Sequence, residues 1–174
     1  MRLSPPQRGV VTGMACGLAL TIAAFGIAAL LHPGAPASMR LHLFVLSALA
    51  PATALAVCIA RLARHRFMTP DDIDGSGLVK GTAQAGMLQA LLQNTLEQLA
   101  LALPVYAAWA VLAPAALVGC LPVAGLLFLL GRALFFAGYA RGAPARALGF
   151  ALTFYPTVLL LAGALVAGIR FLGS

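Results

Sequence analysis

An all-α integral membrane bundle is the fold class this sequence predicts, and three observations predict it. Of 174 residues, 62% are hydrophobic and only 9% are charged, against roughly 45–50% and about 25% in soluble domains. Mean hydropathy is +1.00. Uncharged runs long enough to cross about 30 Å of hydrocarbon recur along the chain. The formal charge of +7 would suggest nucleic acid in a soluble protein. In a membrane protein it reports loops beside anionic headgroups, so no nucleic-acid partner is expected and membrane lipids are. Cys16, Cys58 and Cys120 lie inside apolar runs without CxxC spacing and read as small hydrophobes.

The elements follow in order. Gly9 to Leu31 carries no charge and exceeds the usual h-region of a secretory signal, so it is expected to be a retained span, although Ala35-Pro36-Ala37 resembles a cleavage site. Pro33, Gly34 and Pro36 make a turn. Leu41 to Leu62 is a second span with Pro51 inside it, followed by a basic cuff of Arg61, Arg64, His65 and Arg66. The polar loop from Thr69 to Gly77 holds Asp71, Asp72 and Asp74. It lacks the alternating ligands and twelfth-position Glu of a calcium loop, so the acids are expected to face the cuff, with Thr69 or Asp71 capping a short helix begun by Pro70. Lys80 to Leu112 reads as one long helix with Pro104 as a kink. Ala115 to Ala137 is a fourth span, and Ala147 to Phe171 a fifth, interrupted at Tyr155-Pro156. Trp109 is expected at the membrane interface.

Loop charge orients the bundle. Arg2, Arg8, Arg61, Arg64, Arg66, Lys80, Arg141 and Arg146 fall on one side, and Arg40 and Arg170 on the other. The positive-inside rule therefore predicts a multi-pass protein with a cytoplasmic N-terminus. No long internal repeat supports an inverted-repeat transporter.

One stretch breaks the apolar pattern. Gln93, Asn94, Glu97 and Gln98 lie in the long helix, and Glu97 is the only glutamate of the chain. Asn94 and Gln93 stand three and four residues before it, on neighbouring positions of one helix face. A carboxylate in this setting is costly and needs a partner. Arg132 is the expected one, roughly 9 Å in from the end of its helix at Gly138. Two readings stay open: a Glu97–Arg132 pair that only fixes helix register, or an anion site that also uses Arg141 and Arg146. Arg grips carboxylates in bidentate fashion and favours the thiolate of a bound thiol.

At these residues the chain resembles the MAPEG family, the membrane-associated proteins in eicosanoid and glutathione metabolism. Gln93-Asn94-Thr95-Leu96-Glu97 is similar to the family's Asn-x-x-Glu. Gly131-Arg132-Ala133-Leu134-Phe135-Phe136-Ala137-Gly138-Tyr139-Ala140-Arg141, followed by Arg146, is similar to its Arg-x-x-(Tyr/Phe)-x-x-Gly-Tyr segment and downstream Arg. The resemblance implies a four-helix core over residues 39–174, preceded by an extra transmembrane helix and turn over residues 1–38. It implies a homotrimer holding glutathione between subunits. It assigns Arg146 to catalysis by thiol activation, and Asn94, Glu97, Arg132, Tyr139 and Arg141 to glutathione binding. Ala90 and Phe135 depart from it, where the family commonly has Arg and Tyr. The implied activity is a glutathione-dependent transferase or peroxidase acting on lipophilic electrophiles that enter from lipid. The alternative is a non-enzymatic trimeric scaffold or lipid-binding protein of the same fold. The Ala-, Leu- and Gly-rich composition suits a bacterial inner membrane.

Overall fold

The computed structural model describes residues 3–31, 34, 36–75 and 78–173. Arg2 of the charge count, His32 and Pro33 of the expected turn, Ala35 of the cleavage-like site, and Ser76 and Gly77 of the acidic loop lie outside them. Five long helices make up the bundle: α1 (Pro5–Leu31), α2 (Ala37–Met68), α3 (Ala83–Leu112), α4 (Cys120–Gly138) and α5 (Ala143–Leu172). All five segments are long and apolar enough to cross a membrane. The chain is an all-α, multi-pass integral membrane protein.

Several boundaries differ from the sequence reading. The basic cuff is not a loop, because α2 runs on through it to Met68. At the start of α3, Thr82 takes the N-cap position and its hydroxyl accepts from the Ala85 N–H at 3.2 Å, so the helix begins at Ala83 rather than Lys80. Pro51, Pro104 and Pro156 all lie inside continuous helices, and α5 is not interrupted at Tyr155-Pro156. Neighbouring helices and local adjustments tolerate the missing N–H in a membrane bundle.

Small residues decide how the helices meet. In a membrane, close approach of backbones replaces the hydrophobic drive. α4 and α5 come together at Gly131, Gly138 and Gly149. A Cβ at Gly138 would overlap the Ala145 carbonyl, and one at Gly149 would overlap the Phe135 backbone. α1 lies along α5 in parallel register. Gly9, Gly13 and Gly17 sit against Pro144, Ala147 and Ala151, stepping by four residues on α1 and by three and then four on α5.

The two ends of the bundle differ. At one end Trp109 is buried against Gly163 and donates from Nε1 to the Leu117 carbonyl at 3.2 Å. Trp109 is therefore packed into the protein core. Arg40, which ran against the charge asymmetry, closes α3 there: Nη1 donates to the carbonyls of Ala110 and Ala113 at 3.1 and 2.9 Å. A cation at a helix C-terminus also complements its dipole.

The other end carries most of the basic residues and one latch. Asp72 is 2% exposed. Its Oδ1 accepts from the Thr82 N–H at 2.7 Å, and its Oδ2 from the Thr82 hydroxyl at 2.7 Å and His65 Nε2 at 2.8 Å. One acid of the loop thus faces the cuff and ties the end of α2 to the start of α3. Thr69 occupies an N-cap position but makes no side-chain cap bond. The Thr82 hydroxyl, then the Thr82 amide and then His65 hold the Asp72 carboxyl below its ordinary value. A lowered folded-state pKa means that this contribution is complete above the ordinary carboxylate range. It is lost as pH falls through that range toward the folded value. Thermal melts of detergent-solubilised protein should show that acid-side loss in the wild type, and Asp72→Asn should lack this component. An identical pH dependence in the two proteins would remove the latch.

Candidate functional site

Two apolar clusters divide the bundle. One is built around Tyr106, Trp109, Leu121 and Phe128. The other contains Leu62, Leu88, Leu91 and Phe135, with Tyr139 and Phe150 packed on it. Arg132 touches both: its guanidinium lies 5.9 Å from the Phe128 ring centroid and 4.4 Å from that of Phe135. It is 1% exposed.

Arg132 takes two neutral partners, Asn94 among them, in place of the Glu97 carboxylate the sequence suggested. Nη1 donates to Asn94 Oδ1 at 2.7 Å, and Nη2 to Thr153 Oγ1 at 2.7 Å. The Thr153 hydroxyl in turn donates to the Phe150 carbonyl at 2.8 Å. Nε has no partner among the described residues. Glu97 does not pair with Arg132 within the protomer. It is exposed and accepts from Gln93 Nε2 at 3.0 Å. The helix explains the correction. The buried face of α3 holds Leu91, Thr95, Gln98 and Ala102. At about 100° per residue, Glu97 points roughly 130° away from the centre of that face, while Asn94 lies at its edge.

The Arg132 contact orients Asn94. A guanidinium has no acceptor, so the Asn94 atom facing it must be the oxygen. The Asn94 amide nitrogen, with two donors, is left for another group.

A cleft opens where Asn94 reaches the surface of the basic end. Its volume is about 460 Å³, and it is lined by Asn94 from α3, Phe135 from α4, Tyr139 from the 3-10 turn after α4, Arg146 from α5, and Val10 and Met14 from α1. The close α4–α5 packing at Gly138 and Gly149 brings these side chains together. The Arg146 guanidinium lies over the Tyr139 ring, 4.4 Å from its centroid, and 5.9 Å from that of Phe135. These ring contacts fix the charge without using an N–H in the ring plane. Arg146 has no hydrogen-bond acceptor among the described residues. The site therefore offers a half-buried cation, an oriented amide and a phenol to whatever enters, with an apolar flank.

Of the six residues singled out in the sequence, Asn94, Tyr139 and Arg146 line this cleft. Arg132 stands behind Asn94 and is absent from the lining. Arg141 is exposed on the turn that carries Tyr139, and Glu97 is on the outer face of α3. Sequence reasoning missed Thr153, Val10 and Met14. A lone Thr in an apolar span carries no signal, but the Gly9-Gly13-Gly17 spacing could have placed α1 against a neighbour.

A multi-span bundle with an anion-ready cleft at its basic end is the class of protein these features define. The MAPEG family profile matches residues 39–166. The chain belongs to the MAPEG family, a family of membrane proteins in glutathione and eicosanoid metabolism. No curated protein and no solved structure matches the chain.

Proposed function

We propose that the chain is a membrane-bound, glutathione-dependent transferase or peroxidase acting on lipophilic electrophiles. The observation that carries this reading is Arg146, a half-buried guanidinium in the cleft with no hydrogen-bond acceptor among the described residues. Such a group attracts an anion and lowers the pKa of a thiol beside it. Arg146 holds the sulfur of glutathione as thiolate while the thiol proton leaves to solvent. Asn94, oriented by Arg132, donates from its amide nitrogen to a carbonyl or carboxylate of the peptide. Tyr139 supplies a phenol at the same wall, and Arg141, exposed on the turn that carries Tyr139, adds positive charge outside the lining. In a transfer by substitution, a sulfur–carbon bond forms and the displaced group departs with its electron pair; in a transfer to an activated alkene, the sulfur–carbon bond forms as the carbon–carbon π bond opens and the neighbouring carbon takes a proton from solvent. In peroxide reduction, two thiols become one disulfide as the peroxide becomes alcohol and water. Ala90 and Phe135 add no polar contact, so Arg146 and Asn94 carry the binding.

Isothermal titration of the purified protein with glutathione tests the reading directly. Millimolar ligand without binding heat would sink it. The second reading, a scaffold or lipid-binding protein, draws on the same two apolar positions. It requires Arg146→Ala to leave every cellular phenotype intact.

The homotrimer draws on α3. Gln93, Glu97, Ala100 and Pro104 are exposed along one side of this spanning helix. An acidic side chain facing lipid near a helix centre costs on the order of 3 kcal/mol. A second copy packed on that face removes the cost and brings Glu97 into a site shared between subunits. Glu97→Ala is expected to shift the protein from trimer toward monomer in native mass spectrometry. A wild-type monomer in that measurement would end the trimer proposal. The charge asymmetry supports a cytoplasmic basic end in a bacterial inner membrane, which is checked by cysteine labelling from each side.

A further inference from the structure

We propose that α1 is part of the binding site, not only an anchor. Val10 and Met14 form the wall of the Arg146 cleft that receives the apolar acceptor, and their size sets which acceptors fit. This rests on the transferase or peroxidase reading above and names its substrate class: an uncharged electrophile with an aliphatic or aromatic body.

Three observations carry the inference. The first is the lining itself, in which two half-buried apolar side chains of α1 share one cleft with Asn94, Tyr139 and Arg146. A thiolate held at Arg146 would therefore have an apolar surface within the same cavity. The second is the seating of the helix. A Cβ at Gly9 or Gly13 would stand 2.8 Å from the Cβ of Pro144 or Ala147, and one at Gly17 would overlap Ala151. The three glycines thus leave no room for a side chain between α1 and α5, and this close packing sets the position of the wall. Val10 and Met14 each follow a seam glycine by one residue, about 100° round the helix, which directs them to the flank of the seam. The third is chemical. The cleft's volume of about 460 Å³ lies within the usual range for small-molecule sites, roughly 300–1,000 Å³, which are mostly apolar with a few oriented polar groups. Methionine is unbranched and polarisable, so Met14 can adapt to acceptors of different shape.

The experiment uses the full chain in nanodiscs and has two arms. In the first, glutathione turnover is measured with a compact acceptor, chlorodinitrobenzene, and a long one, dodecenal. Met14→Trp is expected to lower the long-over-compact ratio of kcat/KM about tenfold, and Met14→Ala to raise it, since a few methylenes in an apolar pocket carry that much discrimination. Leu20→Trp, on an exposed part of α1 away from the cleft, should leave the ratio as it is. Equal ratios in all four proteins would overturn the inference. The second arm does not depend on glutathione. Met14→Cys in a Cys16→Ser background is labelled with bimane, and dinitrobenzene is titrated in. Saturable quenching that Val10→Phe weakens supports the wall, and linear quenching, or saturable quenching that Val10→Phe leaves unchanged, overturns it. Failure of glutathione to bind the wild type would strike the catalytic reading, while the bimane arm would still decide whether α1 lines an apolar site.

Discussion

Replacing Arg146 by alanine is expected to lower glutathione turnover about 10²–10³-fold, the usual loss when one preorganised charge partner is removed. The effect has a direction in pH. A cation close to a thiol favours its charged form and lowers its pKa. The wild-type rate should reach its plateau at lower pH than the variant's, and Arg146→Ala should move the midpoint upward by about one unit or more. Arg146→Lys separates charge from geometry. An ammonium keeps the charge but cannot lie flat on the Tyr139 ring with its N–H donors fanned outward. It should recover part of the pH shift and little of the affinity. The Tyr139 contact at 4.4 Å makes a further demand: Tyr139→Leu should weaken binding by freeing the Arg146 side chain. A pH–rate profile of Arg146→Ala that overlays the wild type would remove Arg146 from the chemistry.

The five spans were legible in the sequence because hydropathy reports length and charge directly. The site was legible only in part, and α3 shows why. A soluble helix reveals its buried face by an apolar stripe, but a membrane helix is apolar nearly all round. Nothing in the pattern said that Asn94 turns toward α4 while Glu97 turns away. The spacing rule that makes them neighbours holds, since i and i+3 lie about 60° apart. That offset is enough to put one inside and the other outside. The burial of Trp109 was hidden for a related reason. The belt rule describes an average, and a glycine at position 163 on α5 makes room for a buried indole. The acidic loop was legible as a partner for the basic cuff, because charge pairing across a short loop needs no knowledge of helix rotation, but the sequence did not say that Asp72 of its three acids would meet His65.

Arg132→Met should separate stability from binding. Arg132 is a fully buried cation whose hydrogen-bond partners, Asn94 and Thr153, are neutral, and its Nε has no partner among the described residues. Burying a charge without an opposite one is expensive, and replacing such a group with an apolar side chain of similar length is often neutral or stabilising. The melting temperature of Arg132→Met should therefore hold or rise. Arg132→Ala opens a cavity as well and should cost about 2–5 kcal/mol. Glutathione affinity should follow a different order. Without the guanidinium, Asn94 is no longer held with its oxygen inward, and both Arg132 variants should bind about tenfold more weakly, the scale of one lost charge-assisted bond. Asn94→Asp makes the sharper test. It gives Arg132 a carboxylate, which should stabilise the bundle, and it replaces the outward amide donor with an acceptor. An anionic peptide should then be repelled, so melting temperature and affinity move in opposite directions. A residue that only fixed helix register would move them together. Wild-type affinity in Arg132→Met would mean that Asn94 does not act through Arg132.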